Sequence, residues 1–386
     1  MGETWKRIKT SLSKNRDLTH VGIANVAGTG ILSIFWIFLA SVLEPNEYGK
    51  VSYLLAIANI VSVAAFLGAG QTIIVYIAKG FKIHYTIYVL SLIAGTISAI
   101  MVLLLQGSIE VSIYVIGYII FNLVIHEILG SKLYTKYSKF VISQRIIMVI
   151  LAVIFYFSFG INGIILGYAI SFLPYSIFLY RGFKDAKIDF SQIKPKFGFM
   201  MNNYGRDLSK ILSRSLDKLI ILPVLNATVL GNYQLAYQVL MILIILPTIV
   251  YQYILPRQAS GLQNKKIKGL VVVASIVLSF IVFLAAPILI PIIFPKYEKS
   301  LDIIQIMSFT VIPMSITLMY TSKFLALEKS RHIIISAVIF LLVQLFGIII
   351  LSDKYGAAGL AVATLLAAVS EASYLSLVNR ICYYSK

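Results

Sequence analysis

The sequence predicts an all-α polytopic membrane protein of about twelve transmembrane helices in two six-helix lobes, with both termini in the cytoplasm. Three observations predict it. The 386-residue chain is 59% hydrophobic and 12% charged, whereas a soluble domain carries about 25% charged residues; its mean hydropathy is +0.91. Apolar runs of the roughly 20 residues needed to cross about 30 Å of hydrocarbon follow one another almost without gaps. Basic residues alternate between crowded and nearly empty loops.

The runs place spans at roughly 20–43, 48–78, 83–106, 110–130, 138–160, 162–182, 198–226, 230–256, 268–293, 300–327, 331–352 and 357–380. The first begins near Val21, after Lys6, Arg7, Lys9, Lys14 and Arg16. It is too long for a signal-peptide core, so it reads as a membrane helix. The runs are too long and too uniformly apolar for barrel strands, which alternate over about ten residues. Connections are short. The longest polar one, Arg181 to Lys196, divides the chain into a cytoplasmic tail (1–19), an N-lobe (20–182), a cytoplasmic linker (183–197), a C-lobe (198–380) and a second tail (381–386).

Charge tests the map. With the N-terminus inside, inward segments hold the five basic residues just named. They also hold Lys79 and Lys82; Lys132, Lys136, Lys139 and Arg145; Arg181, Lys184, Lys187, Lys194 and Lys196. The later ones hold Arg257, Lys265, Lys266 and Lys268; Lys323, Lys329 and Arg331; Arg380 and Lys386. Outward segments hold only Lys50, Lys296, Lys299 and Lys354. The rest lie within span seven. One missed or extra span would invert half of this pattern.

The net charge of +18 is therefore a topology signal rather than a sign of nucleic-acid binding. The single cysteine, Cys382, excludes an internal disulfide and a multi-cysteine metal site. No phosphate-cradling Gly-x-x-x-x-Gly-Lys-Ser/Thr loop is present, so this chain carries no ATP-driven engine of that kind, and no ligand cluster has metal spacing.

The halves resemble each other. Val42-Leu43-Glu44-Pro45-Asn46-Glu47-Tyr48-Gly49 leads into span two, and Val224-Leu225-Asn226-Ala227-Thr228-Val229-Leu230-Gly231 leads into span eight at the same spacing. Gly160-Ile161-Asn162-Gly163 opens span six; Gly356-Ala357-Ala358-Gly359 opens span twelve. Six helices repeated in one orientation imply lobes related by an axis along the membrane normal, the architecture of alternating access.

The same stretches carry a family resemblance. Ser41-Val42-Leu43-Glu44-Pro45-Asn46-Glu47-Tyr48-Gly49 resembles the LGPxEYG entry of polysaccharide-exporter flippases, with Glu44 where glycine is common. Leu216-Asp217-Lys218, Leu230-Gly231-Asn232-Tyr233 and Leu255-Pro256-Arg257 resemble the series that opens their second lobe. Phe294-Pro295-Lys296-Tyr297 and Tyr355-Gly356-Ala357-Ala358-Gly359-Leu360-Ala361 are similar to later signatures. Order and spacing, over nearly the whole chain, identify it as a Wzx-like flippase of the multidrug/oligosaccharidyl-lipid/polysaccharide exporter superfamily. The extra pair of helices of lipid II flippases is missing. The resemblance implies translocation of a polyprenyl-phosphate- or polyprenyl-diphosphate-linked oligosaccharide from the cytoplasmic to the outer leaflet. Its expected partners are that cargo, membrane lipids and other polysaccharide-assembly proteins, with no nucleic acid. No cofactor is expected, beyond proton or sodium coupling.

Such cargo needs cations for phosphate and hydrogen-bonding groups for sugar. Span seven holds the densest set: Arg206, Asp207, Lys210, Arg214, Asp217 and Lys218. Lys210, Arg214 and Lys218 recur every four residues, roughly along one face. The guanidinium of Arg214 suits bidentate phosphate contact, with Lys218 and Lys210 adding charge. Asp217 would hold Arg214 or carry a coupling ion. Arg206, Asp207 and Lys210 also fit an interfacial turn with snorkelling side chains. Arg145 is a further phosphate ligand or a snorkelling residue; Glu371, a lone carboxylate in span twelve, is a proton carrier or a hydrogen-bonded neutral acid. Asn25, Asn59, Gln234, Gln238, Gln252, Gln305 and Gln344 read as interhelical hydrogen-bonding groups; Tyr53, Tyr233 and Tyr237 are candidates to stack on sugar. Two other functions compete. A multidrug cation antiporter of the same superfamily would need surplus carboxylates. A membrane glycan polymerase or ligase would need a large outer loop, and the longest here is about ten residues around Phe294–Leu301.

Overall fold

The computed structural model describes residues 16–81, 83–183, 188–259, 265–327 and 329–383. Lys6, Arg7, Lys9, Lys14, Lys82, Lys184, Lys187 and Lys386, all counted as inward above, lie outside the described residues, as do parts of the linker and both tails. Among the described residues the elements are helical, without strands.

The helices follow the predicted spans. They are α1 (Arg16–Val42), α2 (Pro45–Phe66), α3 (Ala69–Ala78), α4 (His84–Gln106), α5 (Ile109–Gly130), α6 (Tyr134–Phe172) and α7 (Ser176–Phe183), then α8 (Phe197–Val224), α9 (Ala227–Leu243), α10 (Ile245–Ala259), α11 (Lys265–Ile293), α12 (Leu301–Ser308), α13 (Val311–Ala326) and α14 (Ser330–Tyr383). Among the described residues, nine stretches are long and apolar enough to cross a membrane. Two of these contain a non-helical glycine, Gly160 (φ 61°, ψ −142°) in α6 and Gly356 (φ 54°, ψ −132°) in α14, and each folds back there into two spans. With α8, whose charges keep it off the apolar set, the twelve predicted spans are accounted for.

Breaks inside spans have local causes. α9 ends at Leu243 and α12 at Ser308. Pro247 and Pro313 follow, and a proline leaves the carbonyl four residues earlier unbonded and crowds it. Within α11, Pro287 frees the Phe283 carbonyl in the same way. The Nε2 of Gln305 donates to that oxygen at 3.0 Å, the interhelical role expected of it. Between α2 and α3 the chain turns through Leu67 (φ 55°) and Gly68 (φ 69°).

Contacts divide the chain into two compact units, residues up to Phe35 with Leu54–Leu212, and Trp36–Tyr53 with Ser213 onward. The first unit centres on a cluster that includes Phe66, Ile73, Ile87, Tyr88, Ile119 and Leu123. The linker docks on it. Ile193 is buried, and Thr86 Oγ1 both donates to the Asp189 carbonyl and accepts from the Asp189 amide. The Lys196 ammonium sits 4.3 Å from the Phe81 ring centroid and 5.0 Å from that of Tyr76. Hydrogen bonds from Ser191 and Gln192 hold the Asp189 carboxyl below the usual carboxylate range.

The second unit contains the repeat in three dimensions. A Cβ on Gly49 would overlap the Ala227 carbonyl, and a Cβ on Gly231 would overlap the Pro45 carbonyl. In the sequence repeat Pro45 matches Ala227 and Gly49 matches Gly231, so the two contacts are reciprocal. The hairpin glycines match too. A Cβ on Gly163 would meet the Phe155 carbonyl, and one on Gly359 the Leu351 carbonyl.

Candidate functional site: the charges of α8 and the Arg145 cluster

The spacing of Lys210, Arg214 and Lys218 does not keep them in one environment. Each step of four residues advances about 40° around the helix. Lys210 and Arg214 are exposed, whereas Lys218 is turned into the packed side, 7% exposed, beside Asp217 at 3%.

The buried pair is fully engaged. Lys218 Nζ lies 3.2 Å from Asp217 Oδ1 and donates to the Arg214 carbonyl at 2.9 Å. The same ammonium stands 4.3 Å from the Tyr237 ring centroid, in cation–π range. Asp217 Oδ1 also accepts the Lys218 amide at 2.9 Å. Its Oδ2 accepts the Tyr233 hydroxyl at 2.9 Å, which meets Thr364 Oγ1 at 3.2 Å. Tyr233 is fully buried, its hydroxyl spent on this network. Asp217 thus neutralises Lys218 rather than Arg214, and the Arg214 side chain has no ion pair among the described residues. Towards the inward end, Arg206 pairs with Asp207 at 3.1 Å, the arginine exposed and the carboxylate partly buried.

Arg145, on the first half of α6 in the first unit, is half-buried. It lies within electrostatic reach of Tyr114, Tyr118, Tyr137 and Tyr168. Tyr114 donates to Asn59 Oδ1 at 2.8 Å and Tyr137 to Asn25 Oδ1 at 3.3 Å. Among the described residues, the buried hydroxyl of Tyr168 and the Oε1 of Gln144, next to Arg145 in sequence, have no hydrogen-bond partner. Among the described residues no carboxylate pairs with Arg145. Its positive charge thus sits among phenol rings without a carboxylate counter-charge among the described residues.

Glu371, on the second half of α14, accepts from Ser336 Oγ at 3.3 Å; its flanking serines gave no hint of this partner, which comes from the first half. The tyrosines around Arg145 and the Thr364 of the Asp217 network were missed by sequence reading. The former are scattered over α5 and both halves of α6, and the latter is 147 residues from Asp217. Neither leaves a local pattern.

A family model described as "Polysaccharide biosynthesis protein" matches residues 38–294. The chain belongs to this family. Its motif resemblance to the Wzx-like flippases within it is borne out. A comparison with curated proteins gives no match. Among solved structures, "Lipid II flippase MurJ, inward closed conformation" aligns at a TM-score of 0.73 and 14% identity, over 93% of this chain and 87% of that one. An inward-facing multidrug resistance MATE family transporter of the MOP superfamily gives 0.68 and 14%, over 95% of each chain. A MOP superfamily transporter from Pyrococcus furiosus, described as having a binding pocket of reversed polarity, gives 0.57 and 14%, over 96% of each. At such identities the likeness is one of fold. Family and fold together make the chain a multi-pass membrane protein of the polysaccharide biosynthesis family, folded like these transporters.

Proposed function

We propose that this flippase-family member moves a polyprenyl-(di)phosphate-linked oligosaccharide from the cytoplasmic to the outer leaflet by alternating access of its lobes, 20–182 and 198–380. The cargo would serve surface polysaccharide or glycoprotein glycan assembly. The chain would perform no covalent chemistry itself. The observation that carries this reading is the charge balance of α8. Asp217 is spent on Lys218, which leaves Arg214 exposed as surplus positive charge on a membrane helix. Surplus cation selects an anionic head group and repels organic cations, so the antiporter reading is the weaker one. Arg145 supplies a second cation in the first unit, and its phenol ring offers hydrogen bonds that sugar hydroxyls and phosphate oxygens can use. Lys210 adds charge nearer the inward end. Glu371 is the proposed proton-coupling group, as a lone carboxylate held by one serine hydroxyl.

The test is a proteoliposome flipping assay with a short-chain polyprenyl-diphosphate oligosaccharide. Arg214→Ala and Arg145→Ala are each expected to reduce transbilayer movement at least about tenfold, the worth of one charge-assisted phosphate contact. Glu371→Gln should flatten the response to an imposed pH gradient. Wild-type protein that moves no such lipid but exports organic cations would replace this reading with the antiporter.

A further inference from the structure

Three turns predicted to face outward meet in the second unit: the one that opens α9, the segment Pro295–Ser300 before α12, and the Gly356 turn of α14. They border an open recess of about 320 Å³ lined by Asn226, Thr228, Val229, Asn232, Lys299 and Ala357, at the lower end of the roughly 300–1,000 Å³ typical of small-ligand sites.

Its chemistry is directional. α9 runs for 17 residues from this recess, so its positive end faces it. Asn226 Oδ1 caps only the Val229 amide, at 2.9 Å. The amides of Ala227 and Thr228 have no intrahelical acceptor at a helix start. Lys299 is one of the four outward lysines that depart from the positive-inside bias. Its neighbour Lys296 is paired with Glu44 at 2.9 Å; Lys299 has no ion pair among the described residues. Asn232 supplies an independent sign of a ligand. It is 3% exposed, its Nδ2 donates to the Thr228 carbonyl at 2.9 Å, and its Oδ1 has no partner among the described residues. A buried acceptor left unpaired beside a cationic recess calls for a ligand that carries both a hydroxyl donor and an anionic oxygen.

We propose that this recess binds a hydroxylated phosphate at the outer face of the membrane. Two sources share that chemistry: the glycerol phosphate head group of an outer-leaflet lipid, and the sugar phosphate of released cargo. The second rests on the proposed function and the first does not.

Native mass spectrometry of the full chain in detergent separates them. Phosphatidylglycerol is titrated against phosphatidylcholine, which lacks both net charge and head-group hydroxyls; undecaprenyl phosphate-glucose is titrated in a parallel arm. Wild type is expected to retain at least one of the two anionic lipids about tenfold better than phosphatidylcholine, and Lys299→Gln and Lys299→Glu to lose that preference. Lys299 is exposed, so both variants should fold; Asn232→Ala reports on the hydroxyl contact. Preference for phosphatidylglycerol alone assigns the site to a resident lipid, and for the glucose lipid alone to cargo. Equal retention of all three lipids by wild type, or unchanged preference in both Lys299 variants, would overturn the proposal. Because Lys299 lies outside the Arg214 and Arg145 clusters, the flipping assay can succeed or fail independently of this result.

Discussion

A buried ion pair is a commitment that a single substitution exposes. Lys218 and Asp217 are both more than nine-tenths buried, so removal of one partner strands the other in a poorly solvated site, at a cost of about 3–5 kcal/mol. Asp217→Ala should therefore lower the thermal midpoint of the detergent-solubilised protein sharply, whereas Asp217→Leu combined with Lys218→Met should recover most of the loss. If the double variant is as unstable as the single one, the network is held by Tyr233 and Thr364 rather than by the charges. The pair also marks the limit of sequence reading at this scale. Periodicity brought Lys210, Arg214 and Lys218 to one face, but the slow rotation of that face decides which cation is buried. What buries it, Tyr233, Tyr237 and Thr364, comes from other helices. Arg145 and Arg214 were legible because a charge in an apolar run is conspicuous. The phenols around Arg145 were not, because tyrosine is common in this chain, at 24 residues.

Among the elements, glycine positions hold the most specific information. The Pro45–Gly49 and Ala227–Gly231 turns touch backbone to backbone, and neither glycine has room for a methyl group. Gly49→Ala and Gly231→Ala should each destabilise the fold by about 1–3 kcal/mol, the usual cost of overpacking. Gly30→Ala, whose Cβ would meet nothing within 4 Å, should stay within about 0.5 kcal/mol of wild type. Melting curves of the three variants decide; a Gly49→Ala protein as stable as Gly30→Ala would mean that the turn relaxes freely. The repeat was visible in sequence because both turns keep the same spacing from Val-Leu to Gly, and a close approach imposes that spacing twice. Helix breaks at Leu243 and Ser308 were missed, although Pro247 and Pro313 signal them, because hydropathy is continuous across a proline kink. The apolar signal reports solvent, not backbone geometry.

At the scale of the whole molecule, what was most legible was the crossing pattern, and its reason is chemical. Lipid demands long apolar helices, and insertion leaves basic residues on one side. Those two constraints act on every loop, so errors in single boundaries do not propagate. The charge-rich α8 is the one span that hydropathy alone does not assign; alternation of the flanking loops requires it. If α8 did not cross, every later loop would exchange sides. That gives a test of the full topology on one pair of positions. In a Cys382→Ser background, a membrane-impermeant maleimide applied to intact cells should label Lys354→Cys, in the outward turn next to Gly356, and should leave Lys329→Cys unlabelled until the membrane is permeabilised. Both positions follow α8, so labelling of Lys329→Cys alone would remove α8 from the membrane. The cationic face on which the proposed cargo selection rests would then belong to a surface helix, where Arg214 would be an ordinary solvated side chain.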